Sequence, residues 1–131
     1  MNFLFNSVFL QYDVQAAPPL RDSGNDLVAV RCKTFKTIQV KTTVLEAFTI
    51  DFQKLPDFYD LLALVHLDGE ASDVLLDYSK IFLIPKEVVD TRNFPRNLEE
   101  LCKSQFVLNR DCVDALFPER HFQFYGKILN G

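Results

Sequence analysis

The chain of 131 residues has no tryptophan, one methionine, two histidines, three cysteines and four glycines. Each scarcity excludes something. Cys32, Cys102 and Cys112 form no C-x-x-C pair, and an odd number cannot close a complete disulfide framework, so they read as reduced thiols of an intracellular, cytoplasmic protein. His66 and His121 stand far apart in the chain, which leaves no zinc-type cluster and no H-E-x-x-H helix. With only 4 Gly and 6 Pro, collagen-like and linker-dominated chains are excluded. No apolar run approaches the roughly 20 residues of a membrane-spanning helix, so the expectation is no membrane. Lys and Arg number 14 against 18 Asp and Glu, a net charge of -4. That balance argues against a polybasic binder, although a whole-chain charge does not forbid a local basic strip.

What is present is enough for a core. Hydrophobic residues make up 48% of the chain and charged residues 24%. A domain of this size buries roughly two-thirds of its unfolded surface without disulfides or a structural metal. No repeat or low-complexity tract divides it, and residues 1–131 read as a single domain. The apolar opening from Met1 to Leu10 lacks the basic flank and small-residue cleavage site of a signal peptide, so it reads as a short core-packing segment.

Tyr12 to Ala16 reads as a short extended segment ended by Pro18 and Pro19, because proline lacks the N–H that a central strand needs. Asp26 to Val30 and Thr37 to Thr43, rich in β-branched residues, form a hairpin candidate with its turn near Cys32 to Lys36. Glu46 to Phe52, Asp60 to Leu67 and Lys80 to Ile84 are further strand candidates; the last two are almost continuously apolar, as in strands covered on both faces. Beyond Pro85 the pattern turns helical. Lys86 to Arg92, Asn97 to Lys103 with Asn97 as N-cap, and Asp111 to Phe117 with Asp111 as N-cap are the predicted helices. The expected architecture is α/β (α+β): a central mixed sheet of five to six strands flanked by helices.

The most informative window is Asn25 to Thr43, NDLVAVRCKTFKTIQVKTT. Alternate strand residues share a face, so Gln39 and Lys41 project together, with Ile38, Val40 and Thr42 on the other side. With the expected turn, Asp26 sits across from Lys41 to within about one residue, the allowance being a β-bulge. A carboxylate and an amide oxygen can both bind a hard divalent cation, and an ammonium can orient water or stabilise phosphate charge. A second reading stays open: Asp26 caps a turn, and Gln39 and Lys41 occupy a solvated strand face.

The succession of an Asp strand (DLVAV), a Q-x-K strand (IQVKTT), a Tyr59-Asp60 strand (YDLLALVHL) and an IFLIP strand resembles the core of the PD-(D/E)XK nuclease superfamily across roughly residues 11 to 90. The resemblance implies a restriction-endonuclease-like core and hydrolysis of DNA phosphodiesters with Mg²⁺ or Mn²⁺. By the same resemblance Asp26 is the principal metal ligand, Gln39 a neutral oxygen ligand where many relatives have Glu, the Val40 carbonyl a further ligand, and Lys41 the contact to the attacking water or scissile phosphate. Relatives begin with a longer helix bearing a Glu; here about ten residues precede Tyr12, the only acids before Asp26 are Asp13 and Asp22, and the N-terminal helix is shortened. Glu46 is the candidate for a relocated carboxylate if its strand adjoins the site. The alternative function is a catalytically degenerate nuclease-fold protein serving as a binding or assembly module.

Arg31, Lys33, Lys36 and Lys41 fall in one stretch without an acid, and Arg31, Lys33 and Lys36 are the candidate contacts to DNA phosphates. Edge lysines that discourage sheet-to-sheet pairing explain the same stretch equally well. His66, inside an apolar strand, reads as a core or edge histidine that finds a hydrogen bond, and no cysteine carries the mark of an activated thiol. The aromatic C-terminus, with Phe117, Phe122, Phe124 and Tyr125, reads as packing rather than base stacking. A homodimer is expected from apolar surface left by the shortened helix.

Overall fold

A computed structural model describes residues 9–17, 26–67 and 80–118. Most of the apolar opening, the turn-rich segment with Asp22, and the C-terminal aromatics after Pro118 lie outside the described residues. The described chain forms a mixed five-stranded sheet flanked by three helices, an α/β fold. The strands are β1 (Gln15–Ala17), β2 (Leu27–Arg31), β3 (Thr34–Thr43), β4 (Leu61–His66) and β5 (Lys80–Pro85), arranged in chain order. All neighbours are antiparallel except β3 and β4, which run parallel. The helices are α1 (Lys86–Thr91), α2 (Leu98–Cys102) and α3 (Arg110–Leu116).

Strand alternation sorts the core into two clusters, one on each face. Leu27, Ala29, Ile38, Leu61, Ala63, Val65, Ile81 and Leu83 lie on one face, packed with Phe9, Cys112, Val113 and Phe117. Leu62, Leu64, Phe82 and Ile84 lie on the other, under Tyr59, Val89, Phe94, Leu101 and Phe106. Every residue of β4 is buried, which is why its sequence shows no polar alternation.

The β2–β3 hairpin turns on two residues, Cys32 and Lys33, because Arg31 pairs with Thr34. Cys32 takes φ 57 while Lys33 does not join the positive-φ residues, the pattern of a type II′ turn in which glycine is usual at the first position. This turn is tighter than the sequence suggests, and it moves the register.

Two other expectations are corrected. Residues 46–52 form no strand: Ala47 makes a single bridge to Asn97, the Phe48 N–H donates to the Arg96 carbonyl at 3.0 Å, and Phe52–Lys54 is one turn of 3-10 helix. The alternating Phe48, Ile50 and Phe52 pack onto the core cluster of one sheet face instead of extending the sheet. The cap of α3 is Asn109, whose Oδ1 accepts the Cys112 N–H at 2.8 Å, while Asp111 sits in the first turn where its charge suits the helix N-terminus. The Asn97 cap of α2 is as expected, its Oδ1 accepting the Glu100 N–H at 2.8 Å.

Candidate functional site

The site lies where β2 stops and β3 continues. Leu27 pairs with Ile38, so β2 covers only the first half of β3 and leaves Val40 to Thr43 paired with β4 alone among the described residues. The Asp26 N–H also donates to the Ile38 carbonyl, at 3.0 Å, so Asp26 and Leu27 face one residue in the manner of a bulge. The Asp26 carboxylate then reaches past the end of the ladder: Oδ2 accepts the Val40 N–H at 2.8 Å. It takes the place of the strand carbonyl that would have come next, which satisfies an amide otherwise left bare.

This geometry corrects the expected register. Asp26 abuts the Gln39–Val40 peptide rather than facing Lys41, a shift that follows from the two-residue turn. It also brings the predicted carbonyl into place. In an extended strand the N–H and C=O of one residue point the same way, so the Val40 carbonyl is directed to the side on which Asp26 sits.

Gln39 and Lys41 share a face, as the alternation requires, and it is the face of Leu62 and Leu64, their register partners. That face is covered, which removes the reading of a solvated strand: Gln39 is 8% exposed. Its Oε1 is buried without a hydrogen-bond partner among the described residues. An unsatisfied buried amide oxygen costs about 1–3 kcal/mol, and a cation is one partner that would satisfy it. Lys41 is half-buried and lines a cavity of about 200 Å³ with Thr42, Thr43 and Leu64 below and Leu45, Phe48, Thr49, Ile50 and Asp51 above. Its ammonium has no carboxylate partner among the described residues.

The donor set fits a magnesium-type ion in kind. Mg²⁺ is usually held by one or two carboxylates and completes its shell with water and substrate phosphate. Asp26, the Gln39 amide oxygen and the Val40 carbonyl supply one charge and two neutral oxygens, and no group of three or more His, Cys, Asp or Glu that could hold a metal occurs among the described residues. Glu46 is exposed beside the start of α2, where its carbonyl accepts the Leu98 N–H, and it is not on a strand adjoining the site. Asp51 is the carboxylate that sequence reasoning missed. Its Oδ1 accepts the Gln53 N–H at 3.1 Å, and it shares the cavity of Lys41. Nothing local marked it, because the loop reaches the sheet only in three dimensions.

The basic candidates separate. Arg31 is 3% exposed; Nη1 donates to Asp114 Oδ1 at 2.7 Å and to the Phe117 carbonyl at 2.9 Å, so it straps α3 to the sheet and is no phosphate contact. Its place in alternation with Leu27 and Ala29, on the face that α3 covers, explains the burial. Lys36 has the parity of Ile38 and Lys41 that of Gln39, so the two lysines leave opposite faces of β3 and form no single patch. Lys36 instead lines a cavity of about 550 Å³ with Asp60, Lys86, Glu87 and Asp90. Lys33 is exposed in the turn.

His66 is buried at the end of β4, and its Nε2 has no hydrogen-bond partner among the described residues. Tyr59 has its phenol pushed up by burial and by the nearby charge of Asp90. Burial pushes the Cys112 thiol up to about 11, against a hydrogen bond with the Asn109 backbone that lowers it, and keeps it protonated at neutral pH. Compared with known proteins, the chain matches no family model, no curated protein and no solved structure. No helix among the described residues is long and apolar enough to cross a membrane.

Proposed function

We propose that this chain is a metal-dependent nuclease of the PD-(D/E)XK type that hydrolyses DNA phosphodiester bonds with Mg²⁺ or Mn²⁺. One observation carries the reading: the Asp26 carboxylate is held at 2.8 Å on the Val40 amide, and Gln39, the residue before Val40, has a buried oxygen without a partner among the described residues. The restriction-endonuclease-like fold is supported by an antiparallel β1–β2–β3 meander followed by β4 parallel to β3, with the Asp at the end of β2 and the Q-x-K residues on β3. Asp26, Gln39 and the Val40 carbonyl would hold the cation, which polarises the scissile phosphate and acidifies a bound water. Lys41 would offset the negative charge that develops on the phosphate, from the pocket it shares with Asp51. Asp26 needs no reorganisation for this role, since its rotamer is fixed by a main-chain donor.

A second reading, a non-catalytic nuclease-fold binding module, is favoured by the single carboxylate at the β2–β3 step. Incubation of the protein with supercoiled plasmid and branched DNA in Mg²⁺ or Mn²⁺ separates the two. The nuclease reading expects divalent-dependent cleavage that disappears in Asp26→Asn and in Lys41→Ala. Cleavage that persists in both variants overturns it, and DNA binding without cleavage under any divalent condition supports the module. A homodimer is part of the proposal, because duplex cutting needs two scissions; sedimentation as a monomer at high concentration would remove it.

A further inference from the structure

Two arginines of the turn between α1 and α2 share one aromatic ring. The Arg92 Cζ lies 4.6 Å from the centroid of Phe52, and the Arg96 Cζ lies 5.0 Å from that centroid and 5.0 Å from that of Phe94. Arg96 Nη2 also donates to the Arg92 carbonyl at 2.6 Å, which ties one guanidinium to the main chain of the other residue. Phe94 belongs to the core under α1 and α2, and Phe52 packs against it, so the rings that carry the two cations are fixed. Neither arginine has an ion pair among the described residues, and Arg96 Nε is buried there without a hydrogen-bond partner. Asp57 and Asp90 border a cavity of about 220 Å³ with Arg92, yet Asp90 is taken by Lys86 at 2.9 Å and neither carboxylate bonds Arg92. Like charges held close with no carboxylate between them repel, and stacking on rings does not neutralise them. Arg92 moreover sits at φ 59 and ψ 13, the left-handed end of α1 where glycine is the usual residue, so this side chain is kept at a cost in backbone strain.

We infer that Arg92 and Arg96 form a clamp for the phosphates of a DNA backbone. Stacking occupies the faces of a guanidinium and leaves its N–H donors in the plane, where they can meet phosphate oxygens two at a time. Arg92 makes no side-chain hydrogen bond among the described residues and Arg96 makes one, so both keep donors for an anion. The loop beneath them argues for the source of that anion. Phe52 follows Asp51, which lines the cavity of Lys41, and Phe48 of the same cavity donates its N–H to the Arg96 carbonyl at 3.0 Å. The arginines therefore adjoin the Lys41 cavity across one short loop, where the phosphates flanking a scissile one would lie. A polymer of evenly spaced phosphates can occupy both places at once, whereas a free anion or a single phosphorylated side chain fills only one. The stretch Thr91 to Arg96 contains no acid, so the positive charge is local although the chain is acidic overall.

The clamp deepens the nuclease reading, on which it rests for its partner: it names the residues that grip the strand beside the site of cleavage. Binding of a short fluorescein-labelled duplex, measured in EDTA between about 50 and 200 mM salt, tests it without any cleavage. Arg92→Gln and Arg96→Gln should each weaken binding about tenfold and make the slope of log K against log salt shallower by about 1, whatever the sequence of the duplex. Arg92→Lys should keep the slope and lose part of the affinity, because the charge stays and the planar fork goes. Lys103→Gln, which removes an equal charge at the end of α2, should change affinity less than twofold. Arginines that merely strap the loop to the turn would alter urea unfolding and leave the slope untouched. The clamp is overturned if the native protein does not bind the duplex, if both glutamine variants keep the native slope, or if Lys103→Gln acts as they do. It is equally overturned if binding falls only in step with the folded fraction, or if a phosphoserine peptide binds more tightly than the duplex. Divalent-dependent cleavage lost in Asp26→Asn, with binding that ignores both arginines, removes the clamp alone; an arginine-dependent slope in a protein that cuts nothing removes the nuclease reading alone.

Discussion

The two faces of the sheet bury similar aliphatic side chains and meet the needs of their polar groups to different degrees. On the face under α3, Arg31 is the buried cation, and Asp114 and the Phe117 carbonyl both receive its Nη1. On the face under α1 and α2, Gln39 and His66 are also buried, and Gln39 Oε1 and His66 Nε2 have no hydrogen-bond partner among the described residues. Satisfied polar groups hold a structure together; unsatisfied ones cost stability and persist only where something other than stability keeps them. On the proposed function, the first face holds the domain together and the second carries the site.

Substitutions on each side test that division. The largest effect is expected from Asp26→Asn at the edge of the working face. An amide oxygen still accepts the Val40 N–H, so stability should move by less than about 1 kcal/mol, while the cleavage rate falls about 10²–10³-fold, the usual loss for one charge-stabilising group. Leu83→Ala, in the cluster under α3, should do the reverse: it costs about 2–5 kcal/mol in urea unfolding and leaves the activity of the remaining folded protein unchanged. If both variants lose stability, the division fails.

Smaller and more diagnostic is Gln39→Leu. Removing an amide whose oxygen has no partner should raise stability by roughly 1–2 kcal/mol and abolish cleavage, a trade seen only where a costly group is kept for function. A destabilised Gln39→Leu protein would mean that the amide is satisfied in solution. The smallest effect is at the thiols. At pH 8, exposed Cys32 and Cys102 should react with a thiol reagent, while buried Cys112 waits for unfolding. Because burial raises its folded pKa from 9.0 to about 11, its contribution favours folding below about pH 9 and fades as pH rises towards 11. Unchanged thermal stability of Cys112→Ala relative to the native protein across that range would speak against it.

Much of this was legible from residue patterns. Strands β2 to β5 announce themselves through β-branched and apolar runs, and the common face of Gln39 and Lys41 follows from alternation alone. Asn97 caps its helix as its spacing to Glu100 suggests. The failures share a cause, which is that a pattern states what a side chain seeks without stating where it finds it. Residues 46–52 alternate like a strand, but the faces they serve are those of a loop laid over a finished sheet. Arg31 looked like part of a basic patch by composition, whereas its parity with Leu27 and Ala29 already put it on a buried face. The partner of Asp26 hung on whether the turn held two residues or five, and that depended on Cys32 accepting a backbone shape normally left to glycine. Asp51 reaches the Lys41 cavity through a fold-back that no local spacing encodes.

The Asp26 carboxylate rests on a peptide N–H, a group that nineteen of the twenty amino acids carry. Position 40 can therefore drift among apolar residues over evolutionary time without loosening its neighbour's grip, and only proline is barred outright, since it would remove the donor and, with it, the anchor of the Asp26 carboxylate.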